Sequence, residues 1–324
     1  MQRMMKVRKY ARDLKPTQGN SEMRTMTAMF EQFMFIKKAE GLAPRTLAEY
    51  NTNLDYFMRY TGGDLSPNEM TTELFVGWIE YMLTELDYSP HTVNIRVRTM
   101  RAFVRYCYED KGWISEPIHK RFKTVKAPID NVEAFTAEEV KRIIGAIDDS
   151  SYTGFRTKVI VYILLDTMVR VAELCEIKRE NVDLTGGTIY LEGADTKTRK
   201  GRHVPMSDAT VKLVSEYMLE TDVFQSDYLF LTYEGEKISA NRIRENIAIV
   251  GQVAGITNKR VSPHTFRHSG ALFYILNGGD PFSLQKILGH THMNMVRRYI
   301  QMTNINVQTQ HNTFSPLNHI FNNK

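Results

Sequence analysis

The chain has 324 residues, 42% of them hydrophobic and 24% charged, with a net charge of +5. These are the proportions of a globular chain with room for two domains, not of a disordered or fibrous one. Two cysteines, Cys107 and Cys175, exclude a disulfide framework and a four-cysteine zinc site, and no apolar run offers a membrane span or a signal core.

The charge surplus lies entirely before residue 127, where 20 Lys and Arg stand against 15 Asp and Glu; the remainder balances at 22 and 22. The first part of the chain is therefore the part suited to a polyanion. Residues 1–22 read as a basic tail, or as an arm able to lie along a phosphate backbone. From 23 to 126 the pattern is helical, with a weak internal repeat. "GLAPRTLAEYNTNLDYFMRY" and "DYSPHTVNIRVRTMRAFVRY" align Pro44 with Pro90, Leu54 with Met100 and Phe57 with Phe103. Each copy opens on proline near the first helical position and repeats its apolar residues at three- and four-residue spacing. "ELFVGWIEYMLTEL" lies between them as another amphipathic helix. Arg96, Arg98, Arg101 and Arg105 in the second copy make either a track for DNA phosphates or a solvated face.

Residues 127–131 break the pattern and read as a linker, after which Thr136 and Glu139 form a capping box that restarts a helix. The region 132–302 is mixed. Helices flank "NVDLTGGTIYLEGADTKTRKGRHVPM", in which Gly186-Gly187 turns one strand into the next and Val204-Pro205 ends a third. Residues 303–324 form a tail. Within it Ser315 and Pro316 can start a short helix with Leu317, Ile320 and Phe321 on one side, too short to stand without docking on its own domain or on a neighbouring protomer.

"SPHTFRHSGA", residues 262–271, concentrates two histidines and an arginine. His264 and His268 are four apart and can face one way on a helix, with His290 or His292 as a third zinc ligand. Pro263 puts His264 at a helix start, however, and no carboxylate accompanies the pair in a His-Glu-x-x-His arrangement. A phosphate clamp uses these residues better, because a guanidinium is a permanent cation with two parallel donors. His268 is read as structural, packing the helix it shares with Phe266.

The order of the motifs resembles the tyrosine recombinase family, which includes phage and transposon integrases and Xer-type resolvases. Arg170 has Glu173 three positions later, Lys197 precedes Pro205 by eight, His264 and Arg267 form a His-x-x-Arg box, Leu288-Gly289-His290 follows, and Tyr299 lies nine beyond that histidine. Met168 stands where the family usually has glycine, and a larger side chain there is expected to disturb the corner that carries Arg170.

The resemblance implies a mainly α fold with a small β-sheet in the C-terminal domain, a helical core-binding domain preceding an α+β catalytic domain. It implies a site-specific recombinase that cuts and rejoins DNA through a 3′-phosphotyrosyl link. Arg170, Arg267 and His290 would hold the phosphate, His264 would donate likewise or accept the phenol's proton, Glu173 would support Arg170, Lys197 would protonate the leaving 5′-oxygen, and Tyr299 would attack. Arg199, Lys200 and Arg202 beside Lys197 are expected to bind DNA, and each can substitute for it if the hairpin alignment slips. No cofactor, nucleotide or metal is implied. The expected partners are double-stranded DNA carrying a recombination site, further copies of the chain as a tetramer on two paired sites, and accessory DNA-bending or directionality proteins, in the cytosol or nucleoid and away from membranes. A DNA-binding regulator without chemistry and a type IB topoisomerase-like relaxer are the alternative functions.

Overall fold

Proline opens helices where the sequence places it. In the computed structural model, which describes residues 25–128, 133–193, 196, 200–303, 311–313, 315 and 317, helix α2 (Pro44–Thr61) and helix α4 (Pro90–Arg105) both begin on proline, whose missing N–H costs nothing in a first turn. The expected arm at 1–22, part of the linker, Lys197, Arg199 and most of the tail after 303 lie outside the described residues. The described residues fall into two compact units that divide between Asp130 and Asn131.

The first unit is helical. Helix α1 (Met26–Ala39) is capped by Thr25, α3 (Thr72–Thr84) by Thr71 and α4 by Ser89, each side chain accepting from a backbone N–H of the first turn. A short helix, α5 (Ile118–Arg121), follows the wide turn Tyr106–Asp110 that ends α4. The apolar faces converge on an aromatic core. Phe57 stacks on Phe75 at 4.9 Å, Phe75 on Phe122 at 4.5 Å, and Trp78 meets Phe57 edge-on at 4.9 Å. Full burial of each such ring contributes about 1.5–3 kcal/mol. Buried amides fix the register: Asn53 donates to Thr99 at 2.9 Å, and Asn94 exchanges two hydrogen bonds with the backbone of Val125.

The second unit is built on α7 (Tyr152–Asp166), a helix with apolar residues all round, so that neighbours cover it on several sides. Helix α6 (Ala137–Gly145) starts at the Thr136–Glu139 capping box, as the sequence indicates. After α8 (Val171–Cys175) come strands β1 (Val182–Asp183), β2 (Thr188–Leu191) and β3 (Arg202–Pro205), an antiparallel sheet in the order β1-β2-β3. Ile189 pairs with Val204 and turns with Leu191 into the core, while Thr188 and Tyr190 face outward, the period of two expected of a half-buried strand. Helices α9 (Asp208–Glu220), α10 (Ala240–Val253), α11 (Pro263–Leu276), α12 (Pro281–Leu288) and α13 (Asn294–Met302) complete the unit.

Helix α11 packs directly on α7 through Gly270. A Cβ at that position would lie 2.1 Å from the carbonyl oxygen of Leu165, so no other residue permits this approach. Ser269 fastens the start of the unit to the same helix, accepting from the Phe135 N–H at 2.7 Å and donating to Thr265 O at 2.8 Å. Among the described residues no helix is long and apolar enough to cross a membrane.

Candidate active site

Three chain segments far apart in sequence meet at the start of α11. Ser262 caps the helix and Pro263 opens it, so His264, Arg267 and His268 project from its first two turns. His264 is exposed, whereas Arg267 and His268 are buried. Arg267 donates one Nη1 bond to Met168 O, and its Nη2 reaches Leu288 O at 2.8 Å and His290 Nε2 at 3.2 Å. Burial and the neighbouring Arg170 cation lower the Arg267 guanidinium to about 9, which leaves it charged at neutral pH.

Arg170 occupies the N-cap position of α8. Glu173, 2% exposed, accepts from the Arg170 backbone N–H at 2.9 Å and from its Nη1 at 2.8 Å. Arg202 grips the same carboxylate from β3, with Nη2 2.8 Å from Glu173 Oε2 and Nε 2.9 Å from Ile287 O. Burial works against the ionised Glu173, but the bonds from Arg202 and Arg170 outweigh it and hold the carboxyl below its ordinary value. Gly289, left-handed at φ +64°, ends α12 and leaves room for that arginine, since a Cβ there would stand 2.9 Å from Arg202 Cζ. His290 follows at once. Its Nε2 faces a donor that cannot accept, so Nε2 accepts and the proton of the neutral ring resides on Nδ1. Nδ1 is buried with no hydrogen-bond partner among the described residues. Burial, followed by Arg267, Arg170 and Arg202, pushes this imidazole down to about 4.

Tyr299 lies on α13 in a small apolar cluster with Met168, Ala271, Ile275, Leu284, Leu288 and Val296. Burial raises its phenol to about 12, against the opposing pull of Arg267 and Arg298. Its hydroxyl is 2.5 Å from His268 Nδ1.

The structure thus brings Arg170, Glu173, Arg267, His290 and Tyr299 into one region through shared partners, with His264 at its edge, its ring 4.2 Å from that of His268. Lys197 and Arg199 lie outside the described residues. Three expectations need correction. Arg202 is not an open cation on a hairpin but a largely buried brace on Glu173. Arg96 is not on an exposed track: it is 8% exposed, its guanidinium lying 4.0 Å from the Tyr56 ring and 4.3 Å from the Tyr88 ring. His268 does more than pack its helix, because it contacts the tyrosine hydroxyl. Arg98 and Arg105 are exposed, and Arg101 donates its Nε–H to His119 O at 3.0 Å while remaining partly accessible. Lys200 is exposed, its N–H donating to Thr196 Oγ1 at 3.1 Å.

Met168, at the corner that carries Arg170, is buried. It takes the left-handed conformation at φ +53°, which glycine adopts freely and which costs methionine about 1–2 kcal/mol. The carbonyl turns toward Arg267 and the side chain fills the cluster around Tyr299.

A mainly helical, two-unit chain with clustered cations beside a buried tyrosine defines a class, and comparison with known proteins places it. Residues 133–304 match the Phage integrase family and residues 25–125 the Phage integrase SAM-like domain. Tyrosine recombinase XerA of Thermococcus kodakarensis is 30% identical over 278 residues, covering 85% of this chain and 91% of that protein. Tyrosine recombinase XerD of Listeria monocytogenes is 26% identical over 301 residues, covering 90% and 99%. In fold the chain is similar to a lambda integrase tetramer bound to a Holliday junction, with a TM-score of 0.70 at 16% identity over 90% of this chain and 87% of that one. The chain belongs to the phage integrase family of tyrosine recombinases.

Proposed function

We propose that this recombinase cuts and rejoins double-stranded DNA at a specific site, with Tyr299 as nucleophile and Arg170, Arg267 and His290 as the phosphate clamp. The observation that carries the reading is the imbalance of charge beside Tyr299. Arg170 and Arg202 share the Glu173 carboxylate, and Arg267 is bound by carbonyls and a neutral histidine rather than by an anion. Such a site favours an incoming phosphodiester, whose non-bridging oxygens gain charge as the tyrosine attacks. Neutral His290, whose buried Nδ1 has no partner among the described residues, can donate to the same oxygens once the site opens, and exposed His264 can donate another bond or accept the phenol's proton.

In the cutting step Tyr299 gives its phenolic proton to His264, its oxygen forms a bond to phosphorus, and the bond to the 5′-oxygen breaks. Lys197 protonates that oxygen, a contribution of roughly 10²–10⁴ in rate when well placed. The phosphotyrosyl bond keeps the energy of the original linkage, and attack by another 5′-hydroxyl reseals the strand. The cations are the protein's own, so cutting is expected to survive a chelator and to need no nucleotide. Assembly as a tetramer on two paired sites, accessory DNA-bending or directionality proteins, and a place in the cytosol or nucleoid belong to the same proposal. The lambda integrase tetramer on a Holliday junction supports the first of these.

The test is to incubate the chain with its DNA site, denature, and look for protein covalently attached to a 3′ end. Attachment by the wild type that vanishes in Tyr299→Phe, with DNA binding retained, is the expected result. Attachment that persists in Tyr299→Phe removes Tyr299 from the nucleophile's role.

A further inference from the structure

Among the described residues the hydrogen-bond partner of the Tyr299 hydroxyl is His268, at 2.5 Å. Both are buried, Tyr299 at 1% and His268 at 8% exposure. The hydroxyl is bonded neither to Arg170 nor to Arg267 nor to His290, the groups that would surround a phosphate. At that exposure no phosphorus atom can come within bonding distance of the oxygen unless the side chain or α13 moves.

We propose that His268 is a positioning residue for strand cutting: its Nδ1 holds the Tyr299 hydroxyl in a closed resting place, and the nucleophile becomes available when that bond breaks. The inference rests on Tyr299 being the nucleophile. A neutral bond of this kind is sufficient for a hold and weak enough to be released, biasing an open–closed equilibrium by roughly fivefold. The apolar cluster around the ring is small, and α13 is nine residues long, so the element that must move has little to tear away. The direction of the bond follows from its environment. Burial pushes the phenol up to about 12, and burial with His264, Arg267, His290 and Arg298 pushes the imidazole down to about 4, so at neutral pH both groups are uncharged, and in the tautomer that carries the ring proton on Nε2 Tyr299 donates and His268 accepts.

Two variants separate a hold from simple packing. His268→Leu removes the acceptor, while His268→Asn keeps an oxygen close to the place of Nδ1. The full chain is treated with tetranitromethane, and nitration of Tyr299 is compared by peptide mass spectrometry with that of Tyr233, which is 74% exposed. First-turnover formation of the covalent complex is then measured on a nicked site at saturating DNA.

The free wild-type chain is expected to nitrate Tyr299 at least about tenfold more slowly than Tyr233. His268→Leu should raise Tyr299 nitration and speed covalent capture by roughly fivefold, and His268→Asn should return both toward wild type. Nitration of wild-type Tyr299 at the rate of Tyr233 overturns the proposal without any variant. So does an unchanged His268→Leu. A tenfold slower capture with binding intact also overturns it, because His268 would then be needed for the chemistry rather than for holding. If His268→Leu does not fold, His268→Gln, whose oxygen lies one bond too far out, takes its place with the same expected direction. Covalent capture by Tyr299→Phe would sink the nucleophile assignment instead, while wild-type nitration would still report on the hold.

Discussion

Two buried arginines, Arg96 in the first unit and Arg267 in the second, are held by different kinds of partner. Arg96 lies between the rings of Tyr56 and Tyr88, and its Nε and Nη1 have no hydrogen-bond acceptor among the described residues. The negative faces of two rings suit a guanidinium, and the arrangement needs no anion. Arg267 has no such rings. It is held by two carbonyls and a histidine, in the field of Arg170 and Arg202, with Glu173 as the carboxylate among them. A buried cation cluster short of negative charge is costly to keep unless an anion uses it. Under the proposed function the second arginine, and not the first, is the one that awaits a phosphate.

The sharpest way to break this contrast is to remove the hydroxyl of Tyr299, the proposed nucleophile in the second unit. Tyr299→Phe should abolish covalent DNA attachment in a denaturing gel while leaving the mobility shift of the DNA complex intact. Next in size, Arg267→Ala should lower the first-turnover cutting rate by about 10²–10³, the usual loss on removing one donor to a developing oxyanion. Arg96→Ala should leave that rate, at saturating DNA, within about twofold, and should lower unfolding stability in urea by about 1–2 kcal/mol. Equal losses of rate from the two variants would erase the distinction.

Glu173→Gln tests the balance from the anionic side. It leaves Arg170 and Arg202 without their carboxylate and should cost about 3–5 kcal/mol in urea unfolding, as breaking a buried ion pair does. The sign with pH is fixed by the direction of the shift. The folded carboxyl lies below the ordinary 4.5, so its contribution is complete above that value and is lost as pH falls through the lower folded one. The variant should therefore lose less stability than the wild type on acidification below about 4.5.

His268 gives a smaller effect of the same sign in a different window. Its folded value near 4 lies below the ordinary 6.5, so the chain takes up a proton there on unfolding. Its stabilisation is complete above about 6.5 and declines as pH falls toward 4. His268→Asn should remove up to one proton from the pH dependence of the urea midpoint across that interval, and an unchanged slope would place the titrating group elsewhere.

The smallest effect belongs to the exposed arginines of α4. Arg98→Glu should lower the log–log salt slope of DNA binding by about 0.9 for each phosphate that the variant no longer neutralises. The buried Arg96, replaced by alanine, should change that slope less than Arg98→Glu does.

The sequence by itself determined where elements begin and in what order the site residues follow. Pro44 and Pro90 open helices, Thr136 with Glu139 forms a capping box, and Gly186-Gly187 turns one strand into the next, because each of these rests on interactions within a few positions along the chain. The succession Arg170, Glu173, His264, Arg267, His290, Tyr299 was legible for a different reason, its resemblance to the motif order of the tyrosine recombinase family. Tertiary structure alone decided what the charges and hydroxyls touch. Arg202 meets Glu173 across 29 positions and His268 meets Tyr299 across 31, while Arg96, spaced like its exposed neighbours, turns between two tyrosines from other parts of the unit. A long polar side chain reads alike in sequence whether it ends in water or on a partner brought in by folding, and the packing of distant segments settles which.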